Sequence, residues 1–355
     1  MKIIITLCLM LITSQKSLAL DILGRDRLNN GSGSSEGLVL LYKFSNTRAN
    51  GSLVAPNVVA DESGVGTPLD LNITDTTRIQ RSCGDFVNDP VTGLVTPICS
   101  LDFILEGAVA RSTTAATKIA TACQATNELT VELWLKNDRD DDPRIRNLMT
   151  PLKIVTMGRG TGTTETVNGV SSYRGSSNDS NFFLGYTYNN AAQFIGAVRA
   201  GARQTRAAVQ TDGLVEFDRY RVETGNVSVN SGDTADTKIL QKEVFEHVIL
   251  TRNARGDSQL YVSSGSTFPF GLVPIRRASA PGPATPQTFS GWGTDFLLSL
   301  GNESTFSDSN APRISNNSGN RSESRNWRGQ IYMLAVYCKA HTDLDILGPA
   351  APGAN

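Results

Sequence analysis

Residues 127–136, NELTVELWLK, are the stretch that decides the fold. Apolar side chains alternate there with polar ones and a tryptophan: Leu129, Val131, Leu133 and Leu135 on one side, and Glu128, Thr130, Glu132, Trp134 and Lys136 on the other. A period of two over ten residues, without Gly or Pro, predicts a β-strand whose apolar face is buried. We predict that it is the central strand of a β-sandwich, with its other face wet or covered by a loop.

Other segments with strand character surround this one along the chain. Residues 38–44, LVLLYKF, are apolar on both faces, so that strand should be covered on both sides. Gly256-Asp257 lies between two strand-like runs and predicts a hairpin. The further predicted strands are 69–73, 154–157, 181–188, 193–199, 244–252, 259–262, 296–300 and 329–338.

The remaining segments are mostly polar. An Ala/Thr-rich stretch at 113–125 is compatible with one short helix. Residues 158–180 and 301–326 are rich in Gly, Ser, Thr and Asn, and we predict two long polar insertions without a core of their own. The pattern as a whole is all-β, and we expect the first and last strong strands, 38–44 and 329–338, to lie close together.

Length and charge limit the function. The chain has 355 residues, of which 39% are apolar, and a formal net charge of −1. The chain is therefore long enough to bury one large core in a single all-β domain. Near-zero charge provides no field that would attract nucleic acid or an anionic membrane, and no basic stripe is visible.

The N-terminus has the pattern of an export signal. Lys2 precedes an apolar run at 3–13, and Ser17-Leu18-Ala19 places small residues where a signal peptidase cleaves. We predict a signal peptide at 1–19 and a secreted mature chain, located extracellularly, at the cell surface or in the periplasm. The apolar run is too short to span a membrane, and no later stretch is long enough.

Four cysteines remain after removal of the signal peptide: Cys83, Cys99, Cys123 and Cys338. In an oxidising compartment they predict two disulfides, for which three pairings exist. We favour Cys83–Cys99, because both lie in one irregular segment, and Cys123–Cys338 as a long-range link. Metal binding is the weaker alternative, since no pair has C-x-x-C spacing.

The order of the motifs resembles a known family. The stretches concerned are, in chain order, LVLLYKF, DESGVGTPLDL, NELTVELWLK, FFLGY, FEHVILTR with LYV, FLLSLGNE and WRGQIYMLAVY. Together they resemble bacterial laminin-G-like jelly-roll domains, which belong to the concanavalin A-like lectin and glucanase folds. The resemblance implies an antiparallel two-sheet jelly-roll sandwich over residues 37–345, between a flexible lead-in at 20–36 and a tail at 346–355. The cysteine-bearing segment 74–126 and the two insertions depart from a compact member of that family.

Catalytic groups are sparse in the sequence. Glu128 and Glu132 share a strand face, but four residues span about 13 Å, too far for a retaining glycosidase pair. We therefore predict that both are solvent-facing acids. His247 lies between Phe245 and Ile249 at alternate positions, which predicts a core histidine with a backbone partner, and His341 has no recognisable partner.

Sugar recognition typically combines an aromatic platform with a few polar groups. The candidate platforms are Trp134 on the polar face of its strand, Trp292 and Trp327 near the insertions, and the same-face pair Tyr186 and Tyr188. For each of these residues, packing at the rim of the sandwich is the alternative role.

Calcium is a candidate cofactor, because it is common in the fold class that the chain resembles. Asp61, in the DESG turn, is the first candidate ligand, and the acids of 138–142, with Asp138 and Asp140, are the second. A solvated hairpin tip is the alternative for the latter run.

Three classes of function follow from these observations. The first is a secreted, non-catalytic binding module for a glycan or cell-surface polymer. The second is a structural or adhesive extracellular protein whose partners are proteins. The third is a polysaccharide-cleaving enzyme, which the missing carboxylate pair disfavours. Fold alone does not choose among them.

Overall fold

The structure is a computed structural model. It describes residues 36–45, 52–73, 75–88, 95–104, 109–137, 152–158, 163–167, 170–174, 180–188, 192–200, 218–223, 245–265, 276–280, 288–301, 327–342 and 345–346. Two sheets and one helix account for most of these residues.

The first sheet has eight strands: β1 (Leu38–Tyr42), β4 (Ile79–Asn88), β5 (Val95–Phe103), β7 (Leu129–Asn137), β14 (Phe245–Arg252), β15 (Ser258–Gly265), β16 (Arg276–Ala280) and β18 (Gly329–Tyr337). Their order is β16-β15-β14-β7-β18-β5-β4, and β1 also pairs with β18. β7, the strand predicted to be central, lies between β14 and β18.

The second sheet also has eight strands: β2 (Val58–Val59), β3 (Leu71–Ile73), β6 (Ala110–Ser112), β8 (Leu152–Gly158), β11 (Ser180–Tyr188), β12 (Ala192–Ala200), β13 (Asp218–Glu223) and β17 (Leu297–Leu300). Their order is β13-β12-β11-β8-β17-β6-β3-β2. The described strand pairs in both sheets are antiparallel, and the prediction of an all-β two-sheet sandwich is confirmed.

The core lies between the two sheets. The inward side chains of β7 are fully buried and contact those of the opposite sheet within one cluster; β7 contributes Leu129, Val131, Leu133 and Leu135. At Gly196 on β12 the sheets approach so closely that a Cβ atom would lie 2.6 Å from the Leu250 side chain. Burying these apolar residues is the main stabilising contribution to the sandwich.

The ends of the chain close the first sheet. β18 pairs with β7 along one edge, and along its other edge with β5 at residues 329–331 and with β1 at residues 334–337. The predicted proximity of the first and last strong strands is therefore confirmed. The hairpin predicted at Gly256-Asp257 is also present, because β14 and β15 pair in register across it.

A single helix leads into β7. Helix α1, Thr117–Thr126, buries Ile119, Ala120 and Cys123 against the core. It ends at Asn127, which adopts the left-handed conformation (φ 57°) and donates its backbone N–H to the Cys123 carbonyl at 2.8 Å. Asn tolerates this conformation better than most residues, so the sequence ends the helix where the strand begins.

Both favoured disulfides are present. Cys83–Cys99 joins β4 to β5, and Cys123–Cys338 joins α1 to the residue after β18 across 215 positions of sequence. The second bond fixes the helix before the central strand to the end of the last strand. Disulfides that close long loops remove the most entropy from the unfolded chain in the entropic model.

The Asp61 carboxylate organises the loop between β2 and β3. Its oxygens accept hydrogen bonds from the backbone N–H groups of Ser63 and Leu69, each at 3.0 Å, and from that of Leu41 at 3.4 Å. The carboxylate also forms an ion pair with Lys118 of α1. Asp61 thereby connects its loop to β1 and to the helix.

Tyr42 of β1 contacts the same loop from the core side. Its hydroxyl donates to the Leu69 carbonyl. Burial, followed by the charges of Asp61 and Asp70, raises the pKa of Tyr42 well above its ordinary value of 10.0. The phenol therefore stays neutral and keeps its donor role at any physiological pH.

Four parts of the chain differ from the expectations. Residues 163–167 and 170–174, inside the predicted polar insertion at 158–180, form the hairpin β9–β10. Thr-rich and Val-containing runs on both sides of Asn168-Gly169 are a hairpin signal that the Gly/Ser content obscured. β4 and β5 form a long hairpin in the irregular cysteine segment, and β13 and β16 are strands outside the predicted ones.

Within the described ranges, no helix has the length and apolarity needed to cross a membrane. The signal peptide, the lead-in and the tail beyond residue 346 lie outside the described residues, so their assignment remains a prediction, as does the single-domain boundary.

We expect Asp61→Ala to lower the free energy of unfolding by roughly 3 kcal/mol, because it removes the charge partner of Lys118 and leaves three backbone N–H groups of the loop and β1 without their acceptor. Lys118→Met should cost only about 1 kcal/mol, since Asp61 keeps its backbone donors. Urea unfolding of both variants measures the difference. Equal losses would show that the ion pair, rather than the loop hydrogen bonds, accounts for the effect.

Candidate functional site

Four polar or aromatic side chains meet on the outer face of the first sheet. Glu132 and Trp134 are two residues apart on β7 and so share a face. His247 on β14 is the register partner of Trp134, and Tyr337 lies near the end of β18. We call these four residues the Glu132 cluster.

The Glu132 carboxylate is the centre of the cluster. Its Oε1 lies 2.8 Å from His247 Nε2 and 3.3 Å from Trp134 Nε1, and its Oε2 accepts from the Tyr337 hydroxyl at 3.2 Å. Because an ionised carboxylate only accepts, the Nε2 atom of His247 carries a hydrogen in this contact. Three donors from three adjacent strands thus converge on one carboxylate.

Aromatic rings surround the carboxylate. The His247 imidazole stacks on the Trp134 indole with ring centroids 4.0 Å apart and an angle of 23° between the planes. The Tyr337 ring lies 4.4 Å from that of His341, which follows β18. The polar groups are therefore held by ring contacts as well as by hydrogen bonds.

The cluster is largely shielded from water. Glu132 is 2% exposed and Trp134 7% exposed, whereas the His247 side chain keeps 13% of its surface. A buried carboxylate carries a large desolvation cost unless donors surround it, which explains the three contacts. The imidazole is the most accessible member of the cluster.

Two expectations are corrected here. Glu132 is buried rather than solvent-facing, because Trp134, His247 and Tyr337 fold over the outer sheet face. The described polar partner of the His247 ring is the Glu132 carboxylate rather than a backbone group. Sequence periodicity gives the face of Glu132, but only strand register reveals that His247 and Tyr337 share it.

Trp292 and Trp327 are core residues and not exposed platforms. Trp327 is 1% exposed and packs edge-on against Phe103, with centroids 5.7 Å apart. Trp292 stacks on Phe289 at 4.2 Å and donates its Nε1 hydrogen to the Arg199 carbonyl at 2.8 Å. These rings contribute to the core cluster between the sheets, where large side chains bury the most apolar area.

The remaining predicted site residues are placed as follows. Tyr186 and Tyr188 belong to β11, but their side chains lie outside the described part of the structure. Asp138 and Asp140 lie outside the described residues. The carboxylate oxygens of Asp61 contact Lys118 and backbone donors, and its role as a calcium ligand stays a prediction. In the described ranges, no group of three or more His, Cys, Asp or Glu side chains is arranged to hold a metal ion.

A carboxylate pair is absent from the positions that face Glu132. Its direct register partners are Ile249 on β14 and Ala335 on β18, both apolar. A retaining glycosidase requires a second carboxyl group about 5–5.5 Å away. The strands that flank Glu132 do not supply one at these two facing positions.

A second polar pair lies on the outer face of the second sheet. Thr156 on β8 and Ser299 on β17 are register partners, and the core residues on either side of them place both hydroxyls on the outer face. Both residues are fully buried, and neither hydroxyl has a hydrogen-bond partner in the described structure. Phe183 on β11 is the other register partner of Thr156, and the Nζ of Lys153 lies 2.9 Å from the centroid of the Phe183 ring.

Comparison with known proteins yields only distant similarities. No protein-family model matches the sequence, and no curated protein matches it. Among solved structures, the chain is similar to a sialidase of Trypanosoma rangeli in complex with sialic acid, with 14% identity, a TM-score of 0.38, and coverage of 88% of this chain and 32% of that one.

Two domains of botulinum neurotoxins are similarly distant from this chain. The botulinum neurotoxin type G receptor-binding domain has 8% identity and a TM-score of 0.41, with coverage of 88% of this chain and 50% of that one. The serotype D ligand-binding domain, in complex with N-acetylneuraminic acid, has 10% identity and a TM-score of 0.38, with 88% and 51% coverage. The chain spans 32% to 51% of the length of these structures. At such TM-scores the similarity assigns neither a family nor a ligand, and the laminin-G-like resemblance remains a prediction.

We expect Glu132→Ala to lower the free energy of unfolding by roughly 3 kcal/mol, because three buried donors lose their acceptor together. Tyr337→Phe removes only the 3.2 Å hydrogen bond and should cost about 1 kcal/mol. Chemical denaturation of the two variants tests this order. A Glu132→Ala loss no larger than that of Tyr337→Phe would contradict a central role for the carboxylate.

Substitutions of the hydroxyl pair on the second sheet, Thr156 and Ser299, should not destabilise the protein. Ser299→Ala and Thr156→Val should leave the melting temperature unchanged or raise it, because each removes a buried hydroxyl that has no partner in the described structure. Thermal unfolding of the single variants measures this. A drop of several degrees in either variant would show that its hydroxyl is hydrogen-bonded in solution.

Proposed function

We propose that the protein is an exported, non-catalytic binding module that recognises a glycan on the outer face of its first sheet. The observation that carries the proposal is the Glu132 cluster, in which a carboxylate, an imidazole, a phenol and an indole lie together on one sheet face. Ligand sites commonly combine aromatic surface with a small number of placed polar groups.

The chemistry of the cluster suits sugar hydroxyls. A carboxylate accepts hydrogen bonds from hydroxyl groups, and an imidazole and a phenol both donate and accept. The imidazole of His247 is the most accessible ring of the cluster and stacks on the largely buried Trp134 indole, so a sugar ring would contact the exposed part of the imidazole first. The bonds from Trp134 and Tyr337 to Glu132, at 3.3 and 3.2 Å, are longer than the usual optimum, so a ligand hydroxyl can replace one of them at small cost.

Charge supports a neutral ligand. The chain has a formal net charge of −1, and the centre of the cluster is an acid. An anionic polymer would be repelled from this carboxylate, while a neutral saccharide would not. Export is supported by the two disulfides, which form and persist in oxidising compartments.

A catalytic role receives less support. The residues directly opposite Glu132 are Ile249 and Ala335, so the facing positions provide no second carboxyl group for glycoside hydrolysis. The Glu132–His247 contact at 2.8 Å orients the imidazole. We therefore assign binding, without bond cleavage, to this face.

The first test is a glycan array with the mature protein, run with and without calcium and beside a size-exclusion profile. We expect saturable binding to a neutral saccharide class by a monomer. Silence on the array together with large assemblies would contradict the proposal and favour a structural or adhesive role. Shortened oligosaccharide products would instead identify an enzyme.

The second test uses tryptophan fluorescence with a saccharide that the array identifies. The chain has three tryptophans. Trp292 and Trp327 belong to the core between the sheets, whereas Trp134 stacks on His247 at the outer face, so a ligand-dependent change should arise from Trp134. We expect Trp134→Phe to abolish the change and His247→Gln to weaken binding by roughly tenfold, which corresponds to about 1.4 kcal/mol. Ser299→Ala, on the other sheet, is the matched control and should bind normally. Loss of binding in the control, or unchanged binding in His247→Gln, would place the site elsewhere.

A further inference from the structure

The two disulfides differ in their exposure. Cys123 is fully buried and Cys338 is 4% exposed, and both belong to the main core cluster. Cys83 is exposed, and its partner Cys99 is partly buried against the edge of the same cluster. One disulfide is therefore enclosed by the fold, and the other lies at its surface.

Strand geometry explains the exposure of Cys83. β4 is the last strand of its sheet, and its ladder with β5 changes register there. Ser82 pairs with Ser100 and Asp85 with Ile98, so Cys83 and Gly84 together oppose Cys99. An extra residue of this kind bends the strand locally and leaves one position outside the ladder. Both Cys83 and Gly84 are exposed.

We propose that Cys83–Cys99 is a thiol-exchange site that accepts a low-molecular-weight thiol of the glutathione class. The incoming thiolate attacks the Cys83 sulfur and forms a new S–S bond. The Cys83–Cys99 bond breaks, its electron pair leaves with the Cys99 sulfur, and that thiolate takes a proton from water. The products are a mixed disulfide on Cys83 and a thiol on Cys99, so the exchange causes no net oxidation or reduction.

The direction of attack follows from the surroundings of the two sulfurs. The nucleophile approaches the attacked sulfur opposite to the leaving sulfur, so it must reach the bond from the side of the attacked residue. Cys83 provides that access on the exposed bulge, whereas Cys99 packs against the core. Accessible disulfides exchange faster than enclosed ones.

The fold should survive the modification. The bond closes only 16 positions of sequence, and the β4–β5 ladder holds the two strands together by backbone hydrogen bonds on both sides of the bulge. The buried Cys123–Cys338 bond continues to join the helix to the end of β18. A bound thiol would thus change the surface of the sheet edge and leave the core in place.

The experiment is incubation of the folded, mature protein with reduced glutathione near pH 8, without denaturant. Samples are quenched in acid, blocked with N-ethylmaleimide and analysed by intact mass and peptide mapping. We expect a glutathionyl group on Cys83, N-ethylmaleimide on Cys99 and an intact Cys123–Cys338 bond, with the first disulfide reacting at least roughly tenfold faster.

Three outcomes would overturn the proposal: both bonds intact until denaturant is added, equal reaction rates of the two bonds, or the adduct on Cys99. The double variant Cys83→Ser/Cys99→Ser is the matched control. It should keep the circular dichroism spectrum of the parent and take up no glutathione under the same conditions. Uptake by this variant would show that the reaction occurs at the buried bond.

Discussion

The burial of both faces of β7 is the constraint on which the rest of the structure depends. Its inward leucines and Val131 form the centre of the core, as the alternation predicts. Its outer face is also buried, although it carries Thr130 and Glu132. Every polar group there must therefore find a partner on a neighbouring strand, because an unpaired buried acceptor or donor costs about 1–3 kcal/mol.

The neighbours of β7 supply those partners. Thr130 donates to the Lys339 carbonyl at 2.7 Å and accepts from the His341 N–H at 3.0 Å, so the chain that follows β18 is held over the outer face. Glu132 binds His247 on one flanking strand and Tyr337 on the other. The same requirement therefore links β14, β7 and β18, whose residues are far apart in sequence. The Cys123–Cys338 bond fixes this arrangement at the point where β18 ends.

The sequence predicts the parts of the fold that depend on local pattern. The alternation at 127–136, the doubly apolar strand at 38–44 and the turn at Gly256-Asp257 each identify an element. The sequence leaves three cysteine pairings open, and the structure contains the favoured one. The β9–β10 hairpin is not predicted, because its strands are short, polar and rich in Thr and Ser. Composition favours a loop there, while strand pairing decides the outcome.

The candidate site is only partly predictable, for a different reason. Periodicity places Glu132 and Trp134 on one face, but it contains no information on which residues of other strands lie beside them. His247 and Tyr337 join the site through the registers β14–β7 and β18–β7, which only the structure gives. For the same reason the sequence places Trp292 and Trp327 only near the insertions, whereas the packing of the two sheets buries both rings in the core.

The choice of a carboxylate at position 132 is the strongest argument for a functional role of this face. Its register partners, Ile249 and Ala335, are both apolar, so the carboxylate finds its donors on Trp134, His247 and Tyr337 instead. Replacing a whole buried polar set, the acid together with its partners, by well-packed apolar residues is often neutral or stabilising, so stability alone does not require such a set here. The acid does, however, hold an imidazole, an indole and a phenol in fixed positions on one surface. That order costs desolvation energy, and the proposed ligand recognition would use it, since a site of preset polar groups loses less entropy when it binds.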